Sequence, residues 1–144
     1  MVVTIDTNVI FSAFYSKKGA SYFILRLVLE EKIKLAISIQ TYFVYYDVLT
    51  RKKNLEQLNL TVSEIEDFLD LLALLSQKHE IYFLLRPNLQ DEKDNIFVEC
   101  AFASNSEYLI TSNIKDFKKS ELGGFKYKLV TPSRFYKLWS EQYE

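Results

Sequence analysis

The apolar segments of this 144-residue chain alternate between two spacings, and this alternation constrains its fold more than any other feature. Short runs rich in β-branched residues predict buried strands, whereas apolar residues at every third or fourth position predict helices. The predicted strands cover residues 2–5, 34–39, 81–85, 108–110 and 125–130. The predicted helices cover residues 9–15, 21–32, 42–51, 61–77, 91–104 and 132–141. The pattern predicts a single α/β domain over residues 1–144, with a mostly parallel central sheet of about five strands flanked by helices.

The composition narrows the chemistry that this domain can use. Cys100 is the only cysteine and His79 the only histidine, so a disulfide, a Cys/His zinc site and a Ser-His-Asp triad are poor candidates. The net charge of −1 gives no global signature of nucleic-acid binding. No apolar run is long enough to cross a bilayer, and no basic leader precedes the first strand. We therefore expect a cytoplasmic protein that does not associate with a membrane. Carboxylates are the main catalytic resource left.

Three short polar side chains, Asp6, Thr7 and Asn8, follow the first predicted strand. A carboxylate at the carboxyl end of a parallel strand lies at the edge where open α/β sheets bind ligands. Asp6 could equally serve as the cap of the next helix. The choice depends on whether other acidic residues return to the same edge.

Two further polar clusters are expected near that edge. Asp91 and Asp94 open a predicted helix, where Asp91 is the natural cap and Asp94 is less needed for capping. Asn113 and Asp116 follow the fourth strand, although Asp116 could also cap a short turn. Hard oxygen ligands that converge with Asp6 suit Mg²⁺ or Mn²⁺. Such ions activate water for phosphodiester cleavage.

Three segments together resemble the PIN-domain nucleases. They are residues 5–9 (IDTNV), 86–95 (RPNLQDEKDN) and 110–117 (ITSNIKDF). More narrowly, the second and third are similar to the VapC-like toxins of toxin–antitoxin systems, and the resemblance covers nearly the whole chain. It implies a PIN-like α/β/α sandwich and a Mg²⁺- or Mn²⁺-dependent ribonuclease that hydrolyses RNA with a metal-activated water. It also implies an antitoxin protein as partner and a homodimer.

The resemblance assigns roles to individual residues. Asp6 and Asp94 match acidic metal ligands of the catalytic site, and the last position falls on Asp116 or Asn113, with Asp116 preferred because it is a carboxylate. Thr7, Asn8, Asp91, Thr111 and Asn113 match the supporting polar shell.

One helix departs from the family pattern. Residues 44–49 read VYYDVL where this branch has Glu-Tyr-x-Asp-Val-Leu, so Val44 stands at the expected glutamate. Asp47 shares a helix face with Val44 and is a possible substitute acid. Glu99 is a weaker candidate, because it lies about 140° around the helix from Asp94. The alternative function is therefore a catalytically degenerate PIN-like domain that binds RNA or a protein partner. A small-molecule-binding or signalling domain ranks last, because the chain lacks a Gly-rich phosphate loop.

Two groups of basic residues are candidate RNA contacts, and a solvated surface is an equally good interpretation of both. They are Arg51, Lys52 and Lys53 in one group and Lys115, Lys118 and Lys119 in the other. Tyr45 and Tyr46 could stack on bases, although core packing is the commoner use of such rings.

Overall fold

A computed structural model describes residues 1–81, 92–121 and 126–143, with residues 119–121 described by their backbone alone. The strands are β1 (Val2–Ile5), β2 (Lys34–Ile37), β3 (Gln77–Lys78), β4 (Tyr108–Ile110) and β5 (Lys128–Val130). The helices are α1 (Thr7–Tyr15), α2 (Ala20–Leu29), α3 (Ile39–Leu49), α4 (Lys52–Leu58), α5 (Val62–Leu75), α6 (Glu92–Ala103), α7 (Ile114–Glu121) and α8 (Pro132–Tyr143).

The five described strands form one sheet in the order β3-β2-β1-β4-β5, and every neighbouring pair is parallel. β1 therefore lies at the centre, with Ile5 opposite Ile110 of β4. Because the strands are parallel, their carboxyl ends share one edge of the sheet, and the residues after β1 and β4 become neighbours. The predicted α/β fold with a parallel sheet of about five strands flanked by helices is confirmed.

The core is built from the apolar residues of the central strands and from the helix faces above and below them. Val3, Leu35 and Leu109 are fully buried, and burying a side chain of this size contributes about 1.5–3 kcal/mol. α2 packs against α1 and α8, whereas α3 packs against α5 and α6. In the part of the chain that the structure describes, no helix is long and apolar enough to cross a membrane.

The third strand begins earlier than predicted. α5 ends at Leu75, and Ser76 takes an extended conformation (φ −97°, ψ 155°), so that Gln77 leaves the predicted helix and pairs with Ala36 of β2. Both side chains of β3 are exposed, which is why no apolar run marks this strand. Most of the predicted strand 81–85 lies outside the described residues.

The sequence pattern predicts neither α4 nor α7, and several predicted element ends differ from those in the structure. The helix predicted to end at residue 51 ends at Leu49, and the extended Arg51 precedes α4, which buries no side chain and so shows no apolar periodicity. α7 follows β4, and Asp116 lies in the first turn of this helix rather than capping a short turn. α3 begins at Ile39, three residues before the predicted start, because Ser38 and Thr41 form a reciprocal capping box. β5 begins at Lys128 rather than at residue 125.

Candidate functional site

Asp6 lies where β1 passes into α1, and both of its side-chain oxygens accept hydrogen bonds. Its backbone N–H donates to the Ile110 carbonyl at 2.9 Å, so β1 and β4 stay joined up to this residue. Asp6 Oδ1 accepts from the Thr7 N–H at 2.7 Å and caps α1. Asp6 Oδ2 accepts from the Thr111 hydroxyl at 2.8 Å. Asp6 is therefore a helix cap and, at the same time, a carboxylate fixed between two strand ends.

The residues after β4 complete this polar edge. Thr111 is fully buried, and while it donates to Asp6 its hydroxyl oxygen accepts from the Asn113 N–H at 3.1 Å. Asn8 Oδ1 accepts from the Ser112 N–H at 3.3 Å. These bonds bring together Asn8, Thr111 and Asn113 around Asp6, as the sequence predicts for parallel strands with neighbouring carboxyl ends. Thr7 Oγ1 is buried and has no hydrogen-bond partner among the described residues.

Tyr45 of α3 supports the carboxyl end of β1, a contact that the sequence pattern does not predict. It is fully buried, and its hydroxyl donates to the backbone carbonyl of Ile5, the residue before Asp6. Burial raises the pKa of Tyr45 well above its usual value, and the ionised forms of the nearby Cys100 and Asp6 would raise it further. The hydroxyl is therefore a neutral donor that fixes the end of β1.

The lone cysteine and the lone histidine are not available as soft or imidazole ligands of this edge. Burial raises the pKa of the Cys100 thiol to about 11, although hydrogen bonds with Thr4, Ser38 and Thr41 oppose the shift. A neutral thiol is a poor metal ligand. His79 follows β3, which β2 separates from β1, and its imidazole Nε2 lies 3.4 Å from Gln77 Oε1.

The α3 position that departs from the family pattern is apolar in three dimensions as well. Val44 is 8% exposed and belongs to the hydrophobic core. Asp47, one turn later, is exposed and forms two ion pairs, one with Arg51 at 2.9 Å and one with Lys93 of α6 at 3.8 Å. Its carboxylate is thus engaged by two cations on the surface.

The other predicted acids lie on neighbouring helices. Asp94 is half-buried in the first turn of α6, and Asp116 is exposed in the first turn of α7, with its N–H bonded to the Asn113 carbonyl at 3.1 Å. Glu99 is 4% exposed, and its position between Val98 and Cys100 is the sequence signal for that burial. Over residues 1–81, 92–121 and 126–143, no group of three or more acidic, histidine or cysteine side chains is placed to hold a metal ion. Asp91 and most of the segment 86–95 lie outside these ranges, and the metal-ligand roles stay a prediction.

The predicted basic groups lie on the surface where they are described. Arg51, Lys52 and Lys53 are exposed, and Arg51 is held by Asp47. Lys115 and Lys118 are exposed on α7, and the side chain of Lys119 is outside the description. Tyr45 is a core residue and Tyr46 packs partly against the core, so the packing interpretation holds for both.

The parallel sheet, with a fixed carboxylate at the end of its central strand, defines an α/β domain with an acidic strand-end site. The family model described as the PIN domain matches residues 2–115, and the chain belongs to this family. A chain of the crystal structure of VapBC2 from Rickettsia felis bound to a DNA fragment from their promoter has a similar fold. It is 21% identical, the match covers 91% of this chain and 98% of that chain, and the TM-score is 0.58. No curated protein matches.

Nucleases of the PIN family generally use divalent metal ions, and the donors at this edge fit such an ion in kind. The Asp6 carboxylate, the Asn8 amide and the buried Thr7 hydroxyl offer oxygen atoms, which Mg²⁺ and Mn²⁺ prefer. Mg²⁺ commonly keeps several waters and takes only one or two carboxylates together with substrate phosphates. The donor set fits that mode of binding rather than an all-protein cage.

Proposed function

We propose that this protein is a PIN-type ribonuclease that hydrolyses RNA phosphodiesters with Mg²⁺ or Mn²⁺, and that it is the toxin of a toxin–antitoxin pair. The observation that carries the proposal is the Asp6 carboxylate, fixed by Thr111 between the ends of β1 and β4 in a chain of the PIN family. A fixed carboxylate at this edge is suited to orient an ion and a phosphate in one geometry.

Each residue of the site has a defined task in this proposal. Asp6, Asp94 and Asp116 would hold the ion, which when bound supplies activation of water and neutralises charge on the phosphate. Thr111 positions Asp6, and Tyr45 positions the strand that carries it. Asn8, in the first turn of α1, accepts from the Ser112 N–H after β4, which keeps the polar edge assembled. Hydrolysis by water requires no covalent intermediate on the protein.

The proposal extends to a cytoplasmic location and to protein partners. The similar chain comes from VapBC2 bound to promoter DNA, which supports an antitoxin as partner. A homodimer is supported by exposed apolar side chains on the packed helices α3 and α5. They are Ile39, Phe43, Leu71 and Leu74.

A second candidate is a catalytically degenerate domain that binds RNA or a protein partner. The observation that favours it is Val44, which places a buried methyl-bearing side chain where the related toxins have a glutamate. Loss of one carboxylate from a site of about four weakens the affinity for the ion, since each ligand contributes to it.

The deciding experiment is cleavage of end-labelled single-stranded RNA with Mn²⁺ or Mg²⁺. We expect the Asp6→Asn variant to lose more than about a hundredfold in rate, because loss of an outer partner alone costs up to that much. Asparagine caps helices as well as aspartate does, so α1 is retained. Asp67→Asn on the exposed face of α5 makes the same charge change and should leave the rate unaltered.

Three results separate the two candidates. Cleavage that persists in Asp6→Asn or in a chelator contradicts the metal-dependent nuclease. RNA binding without cleavage in the unmodified chain favours the degenerate domain. Metal-dependent cleavage that disappears in Asp6→Asn and survives in Asp67→Asn supports the ribonuclease.

A further inference from the structure

A second concave surface lies between the α1–α2 turn and α8, away from the polar edge around Asp6. This cavity of about 390 Å³ is lined by Lys17, Lys18, Gly19, Ala20, Tyr22, Phe23, Arg26 and Tyr136. Three of these residues are cations and none is acidic, although the chain as a whole carries a net charge of −1. We refer to it as the basic pocket.

The charges of the basic pocket are unequal in what they already bind. Arg26 donates to Glu30, the C-cap residue of α2, at 2.7 Å, so its charge is partly compensated. Lys17 and Lys18 are exposed and form no ion pair with any described residue. Two adjacent uncompensated ammonium groups favour an anionic ligand, because a local positive potential raises the concentration of anions there.

Aromatic rings frame the same pocket. Tyr136 is 41% exposed, and its ring is held in place by Phe23 in an edge-to-face contact with a centroid distance of 4.8 Å. Tyr15 precedes the two lysines but does not line the pocket itself; it is 62% exposed and stacks on Phe11. Rings that are fixed on one side and exposed on the other are ready stacking surfaces for bases. Basic side chains combined with exposed rings are the usual means of binding single-stranded nucleic acid.

The topology connects the basic pocket with the Asp6 edge. α1 begins at Thr7, beside Asp6, and ends at Tyr15, roughly 12 Å along the helix axis by the helical rise, with Lys17 two residues further along the chain. Tyr136 lies about one turn into α8, which starts after the carboxyl end of β5 on the same sheet edge as Asp6. A single nucleic-acid strand can therefore contact both places.

We propose that the basic pocket binds the phosphate backbone of the same single-stranded RNA that is cleaved at the Asp6 edge, at some distance from the cleavage site, with Lys17 and Lys18 as charge partners and Tyr136 as a stacking surface. This inference rests on the proposed function, because it takes RNA as the substrate of the Asp6 site. It makes the pocket a substrate subsite without sequence preference, since phosphate contacts carry no base information.

The first test measures binding of a fluorescent single-stranded RNA of mixed sequence to the unmodified chain in a chelator, which prevents metal-dependent cleavage. In the Lys17→Ala, Lys18→Ala double variant, we expect the slope of log K against log salt concentration to shrink by about 1.4, since each phosphate contact on a single strand contributes about 0.7. Affinity should fall alike for every RNA sequence. The matched control is Lys126→Ala with Lys128→Ala, which removes the same charge at the amino end of β5, on the opposite sheet edge. Its slope should not change.

The second test addresses the aromatic surface. We expect Tyr136→Leu to lose at least about fivefold in RNA affinity, because stacking of a base on a ring is lost. Tyr136→Phe keeps the ring and should retain the affinity. Thermal melting of both variants shows whether the contact with Phe23 still supports the fold.

The results distinguish this inference from the proposed nuclease activity. An unchanged salt slope in the Lys17/Lys18 variant, an equal change in the control pair, or no RNA binding by the unmodified chain overturns the inference. Metal-dependent cleavage with an unchanged slope leaves the nuclease in place and removes only the subsite. Binding that depends on the pocket in a chain that cleaves nothing supports the subsite and contradicts the nuclease.

Discussion

Asp6 and Val44 are buried to the same extent, each with 8% of its surface exposed, but their surroundings are opposite. The backbone of α1 and the hydroxyl of Thr111 both donate to Asp6. Val44 packs into the hydrophobic core instead. A buried carboxylate is costly unless such donors meet it, whereas a buried valine needs none. The edge between β1 and β4 therefore stabilises a charged side chain, whereas the part of α3 around Val44 packs against the hydrophobic core.

The acid that remains on α3 illustrates the same contrast. Asp47 is exposed and is bonded to Arg51 and Lys93, both on the surface. Exposed ion pairs contribute only about 0–1 kcal/mol. Asp6, by comparison, is fixed by a partner 105 positions away in the chain, so its orientation is set by the sheet itself. The difference indicates that the β1–β4 edge would carry most of any catalytic precision.

The Thr111→Val variant tests the β1–β4 edge without changing Asp6 itself, and its effect should be the largest after that of Asp6→Asn. Removing the hydroxyl leaves Asp6 Oδ2 without its donor from Thr111, so RNA cleavage should fall about 10–100-fold, as is usual when an outer partner of a metal ligand is lost. The measurement is the initial rate at saturating Mn²⁺.

Thr4→Val is its matched control. Thr4 is equally buried, but its hydroxyl bonds to Ser106 at 2.9 Å and not to Asp6. Both variants should lose similar stability, and only Thr111→Val should lose activity. Equal losses of rate in the two variants would mean that Thr111 acts through the fold alone.

Val44→Glu tests the other side of the comparison and should act in the opposite direction. A carboxylate at this place would supply the glutamate that the resemblance to VapC-like toxins implies, and we expect Mn²⁺-dependent cleavage to rise about tenfold, which corresponds to 1.4 kcal/mol of transition-state stabilisation. Without metal the variant should melt earlier, because burying a polar group without partners costs about 1–3 kcal/mol.

The Val44→Gln variant separates charge from size. Glutamine fills the same volume but binds divalent ions poorly, so it should share the stability loss without a gain in rate or a rise in melting temperature on addition of Mn²⁺. If glutamine and glutamate behave alike, position 44 has no role in metal binding.

The sequence predicted the β1–β4 edge because one rule governs it: parallel strands present their carboxyl ends together. That rule places Asp6 and Asn8 near Thr111 and Asn113 without any knowledge of side-chain contacts. It does not predict the bond from Tyr45 to the Ile5 carbonyl, because such a contact joins a side chain to a backbone atom 40 positions away and leaves no local pattern.

The errors in the fold have a similar physical origin. Gln77 and Lys78 form a strand through backbone pairing with β2 while their side chains stay exposed, so hydrophobic patterning cannot detect it. α4 buries no side chain, so hydrophobic patterning does not detect it either. Patterns of apolar residues report burial, and elements that form without burial escape them.

The smallest expected effect is that of Asp47→Asn, which asks whether the acid left on α3 substitutes for the one missing at Val44. Its carboxylate is exposed and bonded to two cations. We therefore expect the free energy of unfolding to change by less than about 1 kcal/mol and the rate of RNA cleavage to stay within about twofold. Arg51→Gln removes the closer of the two ion pairs and keeps the carboxylate, so its loss of stability should be similarly small. If Asp47→Asn lowers cleavage well beyond Arg51→Gln, the carboxylate itself serves the reaction, and α3 then contributes a charge to the site from its surface rather than from its core.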